Sequence, residues 1–426
     1  MVDFHLVILV HGIWGNSSHL NYIEKQIDDN IKPIDGSRLL VHKTGSHSGY
    51  LTYDGIDVNG KRIVDEILQQ TKQISEQGDR VTKFSIIGYS LGGLISRYAI
   101  GILYAQGFFT DIQPINFVTF CTPHIGVSNP QTHNLSVRIY NYTAPLFLLV
   151  TGSQFFLKDK VGKHNKPLLV WMTDPNSKFY QALKNFKYRA LYANVVNDKR
   201  CSWFTAAISS VDPVNSMYNK SAENIECEYI KGYEPNIIDS AKPFHYVQRK
   251  SNTQTPYENS KFSWLWKTLN WIKLIAYITA LSPIWALSFI IPSIVQKIKS
   301  TFRLREFNNN KDNKLSHLYE YSEETSSLLT DFSNKMEDEQ DTVVEDMYGA
   351  MSYRTSHSSK FPEIKLDPNQ SYAVEKLNTL TWRKIPILLR NTMMTHAAAV
   401  VRHPDPTFDE GQVVIKHFVN EVFQLN

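Results

Sequence analysis

Three residues far apart in the chain are of the types that together make an alcohol nucleophilic. Ser90 lies in Gly88-Tyr-Ser-Leu-Gly92, which reads G-x-S-x-G, and Asp198 and His396 follow it in that order. A serine hydroxyl stays protonated at neutral pH. To attack a carbonyl it needs a histidine to take the proton and a carboxylate to orient and stabilise that histidine. The chemistry such a set performs is acyl transfer through a covalent acyl-serine. Its developing oxyanion must be held by backbone N–H groups, each worth about 3–4 kcal/mol. The N–H of Leu91, just after the serine, is one candidate donor. The N–H of Ile13, in the glycine-containing loop His11-Gly12-Ile13-Trp14-Gly15, is the other.

Other residues compete for these roles. His124 follows a strand at Cys121-Thr-Pro-His-Ile-Gly126, but it precedes any candidate acid. His403 is the nearest competitor of His396, and His417 falls inside a terminal helix, where a packed or solvated histidine is expected. His11 reads as a histidine that orders its loop. Asp54 and Asp57 open a helical stretch and read as capping and turn residues.

The positioning elements follow from hydrophobic patterning. The run 84–87 predicts a buried strand before Ser90, and 93–100 has the spacing of a helix after it, so the serine sits on a strand-turn-helix joint. The helix would aim its N-terminal dipole at the serine. Runs 4–10, 115–120 and 189–197 read as further buried parallel strands, 39–42 as a short one, and 382–389 as a late one. Asp198 then stands at a strand's carboxyl end, where α/β sheets gather functional groups. Residues 18–31 and 408–423 have helical spacing, and 136–156 fits either core or a cap over a pocket. These readings predict an α/β hydrolase with a mainly parallel sheet flanked by helices.

Between Asp198 and His396 the composition changes. Residues 274–295 carry no charge over 22 positions and are flanked by Lys267 and Lys273 on one side and by Lys297, Lys299, Arg303 and Arg305 on the other. One straight helix of that length would span about 33 Å, enough for a bilayer core of about 30 Å, but Pro283 and Pro292 interrupt it. A single crossing would also put Asp198 and His396 on opposite sides of the membrane. The expectation is a kinked or hairpin segment dipping into one leaflet or a lipid-droplet monolayer, with a buried helix pair as the alternative. Residues 306–349 are acidic and poor in large apolar residues, as in a disordered insertion. The expected division is 1–260 hydrolase core, 261–305 membrane-associating segment, 306–360 acidic insertion and 361–426 the return of the core.

The net charge of +4 over 426 residues gives no reason to expect nucleic acid as a partner. Three scattered cysteines, Cys121, Cys201 and Cys227, form no disulfide framework or zinc spacing and suit a reducing compartment. The first residues carry no secretory signal pattern. Neither a metal nor an organic cofactor is expected.

The motifs Val10-His-Gly-Ile-Trp-Gly15, Tyr53-Asp-Gly-Ile56 with Gly60 and Arg62, Gly88-Tyr-Ser-Leu-Gly-Gly93, Thr122-Pro-His-Ile-Gly126, Tyr192-Ala-Asn194 with Asp198, and Thr395-His-Ala397 leading to Arg402 resemble the fungal and plant putative serine esterase family of lipase-type α/β hydrolases. The resemblance covers about the first 210 residues and the last 50. It implies Ser90 as nucleophile, Asp198 as acid, His396 as base and lipids as substrates. Glycerophospholipids come first and acylglycerols second, met at a lipid droplet or on the cytosolic face of the endoplasmic reticulum membrane. One departure is visible, since the family often has histidine before the serine where this chain has Tyr89. The rival expectation from another class is a catalytically idle membrane adaptor with the same fold.

Overall fold

In the computed structural model, six runs of branched and aromatic residues pair into one parallel sheet. The strands are β1 (Asp3–Val10), β2 (Arg38–Lys43), β3 (Arg80–Tyr89), β4 (Gln113–Phe120), β5 (Tyr188–Asn194) and, after a short antiparallel pair β6 (Ile225–Glu226) and β7 (His245–Tyr246), β8 (Arg383–Ile387). Their order across the sheet is β2-β1-β3-β4-β5-β8, parallel throughout. Helices cover the sheet on both faces, so the central strands are buried along nearly their whole length. This is the α/β-hydrolase architecture. The described residues are 1–33, 36–130, 135–161, 165–196, 198–214, 225–247, 294–307, 309 and 364–426.

The strand order reverses between β1 and β3. The chain steps from β1 out to β2, returns to β3 on the other side of β1, and proceeds outward from there. Val10 lies opposite Gly88 in the register, so the loops leaving β1 and β3 emerge side by side at the carboxyl edge. A ligand crevice forms at such a reversal because neighbouring loops diverge there. The loop starting at His11 and the turn at Ser90 are therefore neighbours by topology.

Helix α1 (Asn21–Asn30) follows β1, and α2 (Ile56–Glu76) precedes β3. Helix α3 (Leu91–Ala105) starts directly from the end of β3 and packs against α2 and against α7 (Lys178–Asn185). Two glycines allow that abrupt start. A Cβ on Gly88 would stand 2.4 Å from the Cα of Gly93, and one on Gly92 would stand 2.1 Å from the carbonyl oxygen of Val10. Strand, turn and helix can approach this closely only without those side chains. Asp54, fully buried, is ion-paired to the buried Arg62 of α2 at 2.8 Å, and Asp57 accepts from Gln154 at 2.9 Å; both aspartates hold loops.

Residues 135–155 form two helices, α4 (Leu135–Phe147) and α5 (Leu149–Phe155), between β4 and the short α6 (Leu168–Trp171). Gln154 and Thr151 of α5 accept the N–H groups of Ile56 and Gly55 at 2.6 and 3.1 Å, which ties α5 to the start of α2. Beyond β5, α8 (Trp203–Ala206) lies behind the Asp198 loop. The C-terminal segment adds α9 (Pro368–Leu377), β8, α10 (Thr395–Ala398) and α11 (Asp409–His417). The expected terminal helix over 408–423 is α11 continued by a π-helical turn, Phe418–Val422, which buries Phe418 and Val422 under the sheet.

The chain divides into two compact units, 1–246 with 314–426, and 247–313. Residues 294–307 of the second unit are helical. The uncharged segment 274–295, apart from Ile294 and Val295, lies outside the described residues, as does nearly all of 306–360. Among the described residues, no helix is long and apolar enough to cross a membrane.

Candidate active site

Ser90 carries a backbone conformation that few side chains adopt, φ 54° and ψ −126°. The surroundings hold it there. Its N–H donates to the Phe120 carbonyl at 2.9 Å, and its own carbonyl accepts the Thr122 hydroxyl at 2.9 Å and the Gly93 N–H at 3.1 Å. Strain of this kind costs about 1–3 kcal/mol and persists only where neighbours over-determine it. The turn has the strand-to-helix geometry of a nucleophile elbow around G-x-S-x-G, with the serine at the sheet's carboxyl edge.

Gly12 faces this serine. A Cβ at Gly12 would stand 2.9 Å from the Ser90 Cβ and 3.4 Å from its Oγ. The loop 11–15 therefore runs against Ser90 with its backbone. The Trp14 N–H is committed to Thr52 Oγ1 at 3.0 Å and the Gly15 N–H to the Gly12 carbonyl at 3.2 Å. Ile13 lies between Gly12 and these two donors. Leu91 is the first residue of α3, so its N–H has no acceptor one turn back in that helix.

The loop is held from behind by histidines. His11 Nδ1 bonds to the Gly12 carbonyl at 2.9 Å and must carry the proton there, while Nε2 meets Ser48 Oγ at 3.3 Å. His47 stacks on His11 at 3.8 Å between ring centroids and donates from Nε2 to the His11 carbonyl at 3.3 Å. Both rings are fully buried. Burial first, and then mutual repulsion with His47, pushes His11 well below the ordinary histidine value. Burial brings His47 down to about 4. Both are neutral at pH 7, as in a packed, loop-ordering pair. His11 thus stands where the sequence reading put it, in the loop's own scaffold.

Asp198 and His396, 198 positions apart in the chain, meet with Oδ2 2.8 Å from Nδ1. Both side chains are buried, at 2% and 9% exposure. The second oxygen of Asp198 accepts the backbone N–H groups of Cys201 at 2.8 Å and Arg200 at 3.0 Å. Burial alone would raise this carboxyl, but the His396 imidazole and the two N–H donors outweigh it and hold it below the usual carboxylate range. An ionised Asp198 requires the proton on His396 Nδ1, which leaves Nε2 free to accept one. His396 opens the short helix α10, and β5 pairing with β8 brings that segment beside Asp198.

His396 is connected to the serine through Tyr89. The Tyr89 hydroxyl donates to the His396 carbonyl at 3.2 Å, and the two rings lie 5.1 Å apart. The competing histidines are engaged elsewhere. His124 Nε2 bonds to Thr119 Oγ1 at 2.9 Å, with its ring edge-on to Trp382. His403 packs against Phe408, and His417 bonds to the Tyr192 hydroxyl at 2.8 Å.

Several contributors carried no assigned role in the sequence reading. Asn194, at the end of β5, sends its amide to Asp198 Oδ2 at 3.5 Å, to the Thr395 carbonyl at 3.4 Å and toward Cys121 Sγ at 3.7 Å. Cys121 itself has φ 46° and is fully buried next to Asp198 and His396. Thr122 and His47 were also unassigned. Their signal was adjacency to strand ends, which becomes informative only once the strand order is known.

Residues 2–210 match the family described as "Putative serine esterase (DUF676)". The match covers just under half of the chain. "Putative lipase C4A8.10" of Schizosaccharomyces pombe is 30% identical over 209 residues, 48% of this chain and 26% of the relative. "Putative lipase ROG1" of Saccharomyces cerevisiae is 30% identical over 227 residues, 52% of this chain and 30% of the relative. The chain thus spans less than a third of the length of these two relatives. A solved Listeria innocua protein, the product of the gene lin2722, aligns at 14% identity and a TM-score of 0.30, covering 48% of this chain and 77% of that one. The family stretch contains Ser90, Asp198 and the 11–15 loop, whereas His396 lies beyond it.

Proposed function

We propose that this protein is a serine-dependent lipid ester hydrolase, cleaving acyl esters of glycerophospholipids through an acyl-enzyme on Ser90. The observation that carries this reading is the Asp198–His396 contact at 2.8 Å beside the strained turn at Ser90. In the proposed reaction His396 Nε2 accepts the Ser90 proton as Oγ attacks the ester carbonyl. The Ile13 and Leu91 N–H groups receive the oxyanion. The imidazolium, stabilised by Asp198, then protonates the departing alcohol. A water activated by the same nitrogen hydrolyses the acyl-serine. Asp198 is the acid of this scheme, His396 the base and Ser90 the nucleophile.

The proposed place of action is a lipid-droplet surface or the cytosolic face of the endoplasmic reticulum membrane. Helix 294–307 supports a lipid-facing role. It exposes Ile294, Ile298 and Phe302, and carries Lys297, Lys299, Arg303 and Arg305. Apolar and basic residues combined on one helix suit the interface of an anionic membrane. Acylglycerols are the second substrate class, favoured by the lipase names of the two yeast relatives.

Labelling with a fluorophosphonate probe tests the mechanism, and a panel of defined lipids in vesicles tests the substrate. The wild type should label and Ser90→Ala should not. Release of fatty acid from phosphatidylcholine or phosphatidylethanolamine supports the phospholipid reading, and release from acylglycerols alone replaces it by the second class. A folded wild-type chain that takes no label is an idle hydrolase fold, and the proposal fails.

A further inference from the structure

Cys121 has no part in the acyl-transfer scheme, yet it sits beside the pair that does. One donor atom each from Cys121, Asp198 and His396 lies within 4.8 Å of the other two, and all three residues are buried. Thiolate, carboxylate and imidazole are the donor set of tetrahedral Zn²⁺, whose bonds of about 2.0–2.3 Å place its ligands roughly 3.3–3.7 Å apart. The three atoms need to draw in by about 1–1.5 Å at most. A second observation points to the same spot. Asn194 is 1% exposed, its amide head reaches toward Cys121 and Asp198, and its Oδ1 has no hydrogen-bond partner. Turned over, that amide offers its oxygen as a fourth ligand.

We propose that Cys121, Asp198 and His396 form an inhibitory site for Zn²⁺ or a similar borderline transition-metal ion. On binding, the Cys121 thiol loses its proton to solvent, Asp198 remains a carboxylate and His396 remains neutral. One thiolate and one carboxylate balance the dication, so the buried set carries no net charge, which lowers the cost of burying it. If the metal takes His396 Nδ1, the ring's single proton must sit on Nε2. If it takes Nε2, the lone pair there is used. In either case the imidazole cannot accept the Ser90 proton, and in the first the Asp198–His396 hydrogen bond is lost as well. The inhibition rests on the function proposed above, whereas the metal site does not.

The test uses the full chain with Zn²⁺ for kinetics and Co²⁺ for spectroscopy. Micromolar Zn²⁺ should suppress turnover of a short-chain nitrophenyl ester at least tenfold, reversibly on adding a chelator. In Cys121→Ser, normalised to its own zinc-free rate, half-inhibition should need at least tenfold more Zn²⁺. With Co²⁺ the wild type should develop a thiolate-to-cobalt charge-transfer band, retained in Cys201→Ser and lost in Cys121→Ser and in Cys121→Ala. The band reads the site even if the chain hydrolyses no ester. Equal zinc sensitivity of wild type and Cys121→Ser, absence of the band from the wild type, or its loss only in Cys201→Ser would overturn the proposal.

Discussion

Tyr89 and His396 are joined by a hydrogen bond from the phenol hydroxyl to the histidine's backbone carbonyl, 3.2 Å long, with the rings 5.1 Å apart. The residue before the candidate nucleophile therefore holds the segment that carries the candidate base. In sequence this position was a departure from the family pattern. In the fold it is a strut between the elbow and the returning C-terminal segment.

Tyr89→Phe keeps the ring contact and removes the donor. A neutral hydrogen bond contributes about 0.5–1.5 kcal/mol, so kcat for a soluble ester should fall roughly two- to tenfold. KM should change little, because the bond touches the histidine segment and not the substrate. Steady-state kinetics of the variant checks this, and an unchanged kcat would leave Tyr89 with packing alone.

Gly12→Ala introduces a methyl group 2.9 Å from the Ser90 Cβ and 3.3 Å from the Tyr89 carbonyl oxygen. The loop must retreat from the serine to admit it. Withdrawal of one oxyanion donor costs roughly 10²–10³ in kcat, and that loss is expected here with the melting temperature nearly unchanged. A large drop in thermal stability would instead assign Gly12 a packing role.

Asp198→Asn should lower kcat by roughly 10⁴, because the amide favours the wrong histidine tautomer. It should also change the acid limb of stability. The folded carboxyl titrates below its ordinary value despite its burial, owing to His396 and two backbone donors. The unfolded chain therefore binds this proton first as the pH falls. The stabilisation is complete above the unfolded value of about 3.9 and is lost as pH drops through the lower, folded one. Denaturant melts of the variant should show a shallower loss of stability below pH 4 than the wild type.

His47 supplies the opposite case, a base kept neutral by burial. Its folded value is lowered to about 4 from an ordinary 6.5. Between those limits the unfolded chain holds the extra proton, so stability rises with pH across the window. The difference amounts to about 3 kcal/mol, complete above pH 6.5 and lost toward pH 4. His47→Gln should flatten this part of the stability profile. A wild type equally stable at pH 4.5 and 7 would contradict the neutral stack with His11.

Much of the site was legible because its parts have local signatures. Glycines around Ser90 mark a turn too tight for side chains, and the apolar runs on either side set strand and helix. The order of Ser90, Asp198 and His396 could be read directly, as could strands β1, β3, β4, β5 and β8 to within a few residues. Buried parallel strands are continuous apolar runs, which is the clearest pattern a strand can show.

What the sequence determined by itself is the inventory: a candidate nucleophile on a strand-turn-helix joint, a candidate acid at a strand end, a candidate base before the last helix, and a glycine loop after the first strand. What only the tertiary structure decided is adjacency. The reversal of strand order between β1 and β3 puts Gly12 against Ser90, and the pairing of β5 with β8 puts His396 beside Asp198 across 198 positions of chain. The Tyr89 strut, the His11–His47 stack and the Cys121 neighbourhood follow from the same pairings. No local pattern encodes them, because side-chain contacts between distant strands depend on sheet order and register, and these are set by the packing of the whole core.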